Sequence, residues 1–359
     1  MSFLSEAARG IVPAEVVRLG PGRAAEILEL DSLVWAMRLS GEHRRLAIES
    51  LDFSWAIGVE EPGPAGAELA AVASALGFDL PVPGGRVRMA GLTWVGVRPD
   101  RRGRGYLRAL LARHFADCRE REVPVSMLYA SQMAIYGRFG YGVGSVGVRL
   151  RLPQGARLRA LAEAAPKVEV RFETASFDAH DDLIEEVDRQ AGHDPAARPG
   201  WTGAVTGGAR RQMFVDESPV DPALEPWRIF VATRAGRPTG YALVRRDAKW
   251  EADLPGATAT VRCFQALDAA SGQALWRELV QLPLVTAIVT PPLALDDPLL
   301  SWLEDWRSAR PALIDREHVR LVDLPAALRR RRYAAPVDLR LAVTDSLLQE
   351  NSAVWRLEG

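Results

Sequence analysis

Cysteine is scarce in this 359-residue chain, and long hydrophobic runs are missing. Cys118 and Cys263 are too few and too far apart for a disulfide framework or a zinc site. The histidines show no ligand spacing, so we predict no metal. No stretch reaches the roughly 20 apolar residues of a membrane-spanning helix, and the first residues lack a signal-peptide pattern. These absences predict a cytoplasmic protein without a membrane partner.

A net charge of one sign is also missing. The chain has 45 basic and 46 acidic residues, which gives a formal net charge of −1. This balance provides no overall field that would attract nucleic acid or an anionic membrane. Nearly all the basic residues are arginine, since Lys167 and Lys249 are the only lysines. The length predicts two or three domains of an ordinary soluble protein.

The stretch 92–111 is the most informative one. Residues 92–97 are apolar and rich in β-branched side chains, which predicts a buried strand that ends at Pro99 and Asp100. A helix follows from Gly105. Its apolar face is predicted to consist of Leu107, Leu110, Leu111, Phe115 and Cys118. Its polar face is predicted to consist of Arg108, Arg113, Asp117, Arg119 and Glu120.

A strand, a basic turn with glycines and a helix start together predict an anion site, because unpaired amides and the positive helix end meet there. Gly103 and Gly105 let the backbone approach a phosphate, and Arg101, Arg102 and Arg104 add charge. The turn is not a Walker loop, since no Gly-Lys-Ser/Thr follows. The alternatives are a solvated arginine turn and a nucleic-acid patch.

The turn Arg102-Gly-Arg-Gly105-Tyr-Leu107 resembles the coenzyme A loop of the GNAT N-acyltransferases, Arg/Gln-x-x-Gly-x-Gly/Ala, with leucine in the last place. Together with Val95-Gly-Val97 before it and the stretch 130–142 after it, the chain resembles the Eis (enhanced intracellular survival) family of actinobacterial acetyltransferases. The resemblance implies acetyl-CoA as co-substrate. The implied contacts are Val95, Gly96, Val97, Arg102, Gly103, Arg104, Gly105, Tyr106, Leu107, Arg108, Ser131 and Gln132.

The resemblance also implies where the chemistry takes place. GNAT enzymes hold the thioester between two splayed parallel strands, here 92–97 and 125–130, and a main-chain N–H of the first strand can polarise the carbonyl. The family's general acid corresponds to Tyr136. Full proton transfer from a phenol to a thiolate is uphill by roughly 2 kcal/mol, so we expect hydrogen-bond donation. We expect Tyr136 to be turned away from the core-facing Ile135 and Phe139, with Gly137 and Gly140 leaving room for the cofactor. The alternative is a packed tyrosine.

The acceptor side is less defined. Asp31 and Trp35 on the first predicted helix are candidate acceptor contacts, but the pattern favours a core tryptophan at Trp35. In Eis enzymes the C-terminal carboxylate reaches the active site, and we do not transfer that role to Gly359. Either the chain is truncated, or another group or a chain of waters serves as the general base. We expect His114 to be a core histidine and Tyr141 a packing residue.

The element order predicts an α/β (α+β) fold with tandem GNAT acyltransferase folds, each a mixed central sheet flanked by helices. The stretch 319–357 resembles the sterol-carrier-protein-like domain that closes Eis proteins, which implies a partial domain of that kind at the end. The catalytic GNAT domain spans 1–152, a degenerate GNAT-like domain spans 153–291, and the last, incomplete domain spans 292–359. In the second domain, Leu267–Gln273 takes the place of the coenzyme loop and has no arginine. In the third, we predict a helix over 296–310 with Trp306 facing inward.

These features predict an acetyl-CoA-dependent N-acetyltransferase that acts by direct attack in a ternary complex. By resemblance, the acceptors are amines, either aminoglycoside-like polyamines or peptide lysines, and the protein is a homo-oligomer, a hexamer. One alternative is a coenzyme-A-binding, catalytically impaired Eis-like protein that lacks its C-terminal base. The other is a nucleic-acid-binding protein, although we predict no nucleic-acid partner.

Overall fold

The structure is a computed structural model that describes residues 14–37, 39, 41–63, 66–161, 166–192, 199–201, 208–215, 224–247 and 249–359. None of the described helices is long and apolar enough to cross a membrane. The elements are β1 (Val16–Arg18), α1 (Ala24–Trp35), α2 (Gly41–Glu49), β2 (Ile57–Gly63), β3 (Gly66–Val82), β4 (Gly85–Val97), α3 (Tyr106–Glu120), β5 (Val125–Tyr129), α4 (Met133–Tyr136), β6 (Gly142–Val143), β7 (Val146–Arg149), β8 (Arg151–Pro153), β9 (Glu169–Thr174), α5 (Phe177–Ala191), α6 (Gly208–Arg211), β10 (Arg228–Arg234), β11 (Arg237–Arg246), β12 (Trp250–Glu251), β13 (Leu254–Pro255), β14 (Ala257–Ala266), α7 (Ala269–Val280), β15 (Val285–Val289), β16 (Leu293–Ala294), α8 (Pro298–Trp302), β17 (Ala312–Asp315), β18 (Glu317–Leu321), α9 (Leu324–Arg329), β19 (Asp338–Val343) and β20 (Ala353–Glu358).

The first sheet has the strand order β1-β2-β3-β4-β5-β18-β6, in which β4 and β5 are parallel neighbours. The residues of β3 identify its two faces. Ala71 packs in the cluster that contains Phe115 of α3, whereas Val72 packs with Ile27 of α1. Because successive side chains of a strand project from opposite faces, α3 and α1 cover opposite faces of the sheet. We call these the α3 face and the α1 face.

The second sheet has the order β8-β15-β14-β11-β10-β9, in which β14 and β15 are parallel neighbours joined through α7. Helix α7 buries Leu275, Trp276 and Leu279 against it. The sheet thus repeats the strand–helix–strand arrangement of the first one, as the element order predicted. The pattern of residues 68–80 fits a strand or a helix, and its place before the turn at 81–85 favours a strand that pairs with 86–97. The structure confirms this, since the stretch lies in β3, which pairs with β4.

Residues 292–359 contribute to several parts of the fold. Strand β18 lies in the first sheet, between β5 and β6, so the predicted third domain supplies part of the catalytic sheet. A buried ion pair of 2.7 Å joins Arg320 of this strand to Asp345, and Asn351 also donates to Asp345. Strands β19 and β20 form a separate two-stranded ribbon. The sterol-carrier-protein-like character of residues 292–359 and the boundaries at 152 and 291 stay predictions.

Several local predictions are wrong. The helix predicted over 296–310 is only α8, and Trp306 is 52% exposed. The Asp305 side chain accepts from the amides of Arg307 and Ser308 and so favours a turn over a longer helix. Asp117 is buried rather than on the polar face of α3, because Arg18 and Arg113 pair with it. Helix α2 was not predicted. A short alanine-rich helix is also predicted between Pro153 and Pro166, but residues 154–161 are not helical, and Leu158 forms a β-bridge with Leu303. The Gly/Pro-rich loop predicted at 192–208 lies largely outside the described residues.

Candidate functional site

The turn before α3 leaves backbone amides unpaired. Gly103 and Gly105 have φ of 80° and 82°, a left-handed conformation that favours glycine. The first backbone hydrogen bond into the helix runs from the Ala109 amide to the Gly105 carbonyl, at 3.0 Å. Among the described residues, the amides from Gly103 to Leu107 have no acceptor, and no side chain caps the helix start. This arrangement suits an anion such as a pyrophosphate.

The arginines of the turn differ from one another in their contacts. Arg101 and Arg104 both bind the carboxylate of Glu61 on β2, with Arg104 Nη1 2.8 Å from Glu61 Oε1. The prediction that three guanidinium groups surround the anion is therefore only partly met, because two of them also hold the turn against β2. Arg102 is exposed and has no partner within the described part of the chain. Arg108, one turn into the helix, is exposed as well.

A notch opens between β4 and β5 beside this turn. The two strands pair as far as Gly91 and Met127, and then their pairing ends. Strand β4 continues along β3 to Val97, with one extra residue where Trp94 has a φ of 55°. A bulge of this kind bends a strand away from its neighbour. The splayed pair of parallel strands predicted at 92–97 and 125–130 is present.

One amide of β4 points into the notch. The Arg98 amide donates to the Ala70 carbonyl on β3, at 2.9 Å. Because successive amides of a strand point to opposite edges, the amide of Val97 faces the edge where β5 has separated. Gly96, the residue before Val97, lies at a crowded position, since a Cβ there would come within 3.3 Å of Val34 on α1.

Tyr136 lies at the end of α4, after β5. Only 8% of its surface is exposed, and its ring meets that of Tyr141 edge-on, with centroids 6.0 Å apart. The expectation that it turns away from the core is wrong, because the helix ends there and Tyr136 packs with Ile135 and Phe139. Its hydroxyl has no hydrogen-bond partner among the described residues and is not enclosed. Burial raises the pKa of Tyr136, so the phenol is a neutral donor at physiological pH.

The neighbouring Tyr141 is a different case. Its hydroxyl lies 2.7 Å from Ser126 Oγ, which in turn lies 2.8 Å from His114 Nε2. Burial lowers the pKa of His114 to about 4, which keeps the imidazole neutral. Both residues are therefore internal, as predicted, and Tyr136 is the tyrosine of this cluster whose hydroxyl remains available.

Gly140 has a different role from the one expected. Its φ of 81° requires glycine, and a Cβ there would come within 2.8 Å of the Arg320 guanidinium. The turn after Tyr136 thus packs on the side chain that Asp345 holds. Ser131 and Gln132, between β5 and α4, are exposed.

Helix α1, which packs on the α1 face of β4, carries a buried carboxylate. Asp31 is buried one turn before Val34, the residue that packs on Gly96. Burial raises the pKa of Asp31 to about 6, and the nearby Trp35 side chain partly opposes this shift. Trp35 is 48% exposed, so the alternative that it is a core residue is wrong.

Sequence reasoning missed a second carboxylate at the notch. Glu317 at the start of β18 lies opposite Tyr129 and accepts a hydrogen bond from its hydroxyl, at 2.6 Å. The two residues are 188 positions apart, so no local pattern reveals their contact. Among the described residues, no three His, Cys, Asp or Glu side chains are grouped to hold a metal ion.

Two stretches match acetyltransferase (GNAT) domain families, at residues 15–144 and 209–321. The chain is 35% identical to a Streptomyces avermitilis protein described as an uncharacterized N-acetyltransferase, a match that covers 80% of this chain and 69% of that protein. It is 32% identical to the N-acetyltransferase Eis of Mycobacterium tuberculosis, over 79% of this chain and 67% of Eis.

Solved structures agree with these matches. Eis1 from Mycobacterium abscessus superposes with a TM-score of 0.73 at 26% identity, over 96% of this chain and 82% of that one. A GCN5-related N-acetyltransferase from Anabaena variabilis has a TM-score of 0.76 at 17% identity, with the same coverage, and shows the fold alone. The GNAT fold implies acetyl-CoA as co-substrate and an amine as acceptor. The chain therefore belongs to the Eis family of GNAT N-acetyltransferases.

Proposed function

We propose that this enzyme transfers acetyl directly from acetyl-CoA to an amine while both are bound at the β4–β5 notch. The unpaired amides from Gly103 to Leu107 carry the proposal, because they form an anion site at the base of the notch. Arg102 and Arg108 add positive charge at its rim. Acetyl-CoA supplies the acetyl thioester, and Ser131 and Gln132 form the opposite rim.

Two groups of the protein then donate hydrogen bonds to two atoms of the reacting thioester. The Val97 amide points into the notch, where it donates to the thioester carbonyl oxygen, which gains negative charge during the attack. The Tyr136 hydroxyl donates to the departing thiolate on the α3 face. Its raised pKa makes complete proton transfer more uphill than for a free phenol, so we assign hydrogen-bond donation.

The acceptor amine approaches from the α1 face, beside Asp31 and Trp35. An attacking amine must be neutral, and a carboxylate with a pKa of about 6 is ionised at neutral pH and more basic than an ordinary aspartate. We assign Asp31 as acceptor contact and proton acceptor. Aminoglycoside-like polyamines and peptide lysines are the proposed acceptor classes, and a cytoplasmic homo-oligomer remains the expected form.

The nucleic-acid alternative has less support than this assignment. Arg101 and Arg104, two of the side chains it would use, are bound to Glu61. A phosphate backbone would have to compete with that carboxylate for both.

Replacing Tyr136 with phenylalanine tests the assignment. We expect kcat to fall about 100-fold, because the leaving thiolate loses its donor, while the KM for acetyl-CoA changes less than about twofold. Tyr141→Phe is the matched control. It removes an internal hydrogen bond and costs about 1 kcal/mol of stability with little change in kcat. Equal kcat values for the Tyr136→Phe variant and the unmodified enzyme would refute the role.

A further inference from the structure

Glu317 lies beside the open end of the notch. Strand β5 runs two residues past its last pairing with β4, from Met127 to Tyr129. Strand β18 lies antiparallel on the other side of β5 and places Glu317 directly opposite Tyr129. Residues that are directly opposite on paired strands project from the same face. The two side chains therefore line one bank of the notch together.

That face is the α1 face. Leu128 packs in the cluster of the α3 face, so Tyr129, the next residue, projects from the opposite one. The Glu317 side chain projects from the same face, because it lies opposite Tyr129 and is hydrogen-bonded to it. Asp31 on α1 and Glu317 on β18 thus lie on the two banks of the notch, on the face away from Tyr136.

The Glu317 carboxylate is held in place and ionised. It accepts from the hydroxyls of Tyr129 and Ser145, and Arg316 Nη2 lies 3.6 Å from its Oε1. Burial alone would raise the pKa of Glu317, but the hydrogen bonds from Ser145 and Tyr129 bring it below its ordinary value. Arg316 lies over the Tyr129 ring, 5.0 Å from its centroid, and keeps that ring at the end of β5.

The carboxylate retains capacity for at least one more donor. A carboxylate has about four lone-pair positions, and two hydroxyls occupy two of them. Arg316 is too distant for a hydrogen bond at 3.6 Å and only shares the charge. The Glu317 side chain is 24% exposed and Tyr129 is 60% exposed, so an approaching ligand can reach both.

We propose that Glu317 is an acceptor-binding residue whose carboxylate binds a second ammonium group of a diamine or polyamine. The inference rests on the proposed function and deepens it. One nitrogen of such an acceptor must be neutral to attack, while another stays protonated and needs a carboxylate partner. With Asp31 beside the reacting nitrogen, Glu317 selects acceptors that carry a further cationic group.

The test compares 1,6-diaminohexane with n-hexylamine as acceptors, in steady-state assays of thiol release from acetyl-CoA. For Glu317→Gln we expect the KM of the diamine to rise about tenfold, since a charge-assisted hydrogen bond is lost. The kcat and the KM of hexylamine should stay within about twofold. Glu317→Asp keeps the charge and should recover part of the loss. Glu304→Gln, at an exposed carboxylate paired with Arg157, is the matched control.

Other outcomes overturn the proposal. An equal rise in KM for both amines would mean that Glu317 only positions Tyr129, and no rise would mean that it does not touch the acceptor. Acetylation of hexylamine but not of the diamine by the unmodified enzyme would overturn the diamine preference and leave the acetyltransferase function intact. If neither amine is acetylated although calorimetry shows acetyl-CoA binding, the acceptor class and this proposal fall together.

Discussion

The two sheets each join a pair of parallel strands through one helix, yet the two helices begin differently. In the first, Gly105 precedes α3 and leaves the amides from Gly103 to Leu107 without acceptors among the described residues. In the second, Asp268 precedes α7 and accepts from the Ser271 amide, at 2.8 Å, while Arg234 pairs with its other oxygen, at 2.9 Å. A protein carboxylate thus takes the place that an anionic ligand would need.

The segments after the second parallel strand differ as well. After β5, the chain places Tyr136 with its hydroxyl accessible. After β15, Trp302 at the end of α8 packs over the first turn of α7, so that a Cβ on Gly272 would lie 3.1 Å from its ring. A shared fold therefore does not imply a shared site. The residue before the helix and the cover above it decide which helix start can bind a ligand.

The largest effect should come from placing at the start of α3 the kind of aspartate cap that α7 has. Gly105→Asp places a carboxylate on the free amides, and its charge repels a phosphate. We expect acetyl-CoA affinity to fall about 100-fold in calorimetric titrations. Gly105→Asn is the control, because asparagine also tolerates the left-handed conformation but carries no charge. Equal losses in the two variants would show that backbone strain, not charge, is responsible.

A second contrast concerns one buried aspartate in each domain, Asp31 and Asp188, whose pKa values burial raises to about 6. If Asp31 accepts the proton, kcat/KM rises through about pH 6, and Asp31→Asn removes that rise and lowers kcat/KM at pH 8 about tenfold or more. Asp188 instead accepts from the Tyr241 hydroxyl, at 2.9 Å, so Asp188→Asn should leave the activity profile unchanged. If Asp31→Asn and Asp188→Asn had the same pH profile of kcat/KM, the two aspartates would not differ in role as stated here.

The same pKa shift also affects stability. A carboxyl with a folded-state pKa above its unfolded value disfavours folding once it ionises. Stability therefore falls as the pH rises from about 4 to about 6, by up to about 3 kcal/mol, and is constant above that. In denaturant titrations at several pH values, Asp188→Asn should remove the part of this decline that Asp188 contributes and leave the part that Asp31 contributes.

The smallest effect should come from removing the aspartate cap at the start of α7. Asp268→Gly removes a capping side chain but keeps a residue that caps helices well, so it should cost only a few tenths of a kcal/mol, a fall in Tm of about one degree. It should not create an acetyl-CoA site, because Trp302 still covers the turn. A second equivalent of bound acetyl-CoA in calorimetry would contradict this.

The sequence predicted the local features of the site, because strand, turn and helix between Leu92 and Leu111 each follow from neighbouring residues. It could not predict that β18 joins the first sheet, since the pairing of Glu317 with Tyr129 connects distant residues through hydrogen bonds of the backbone. The burial of Tyr136 was also missed, because α4 ends there and helical spacing no longer applies. Likewise, Glu61 gives no local sign that it binds the arginines of the turn.

Hydrogen exchange with and without coenzyme A shows directly whether the turn before α3 binds the coenzyme. We predict that coenzyme A slows exchange of the amides from Gly103 to Leu107 and of those along the β4–β5 notch, while the start of α7 at Asp268–Ser271 exchanges unchanged. Protection at the start of α7, or none at the turn before α3, would contradict this prediction.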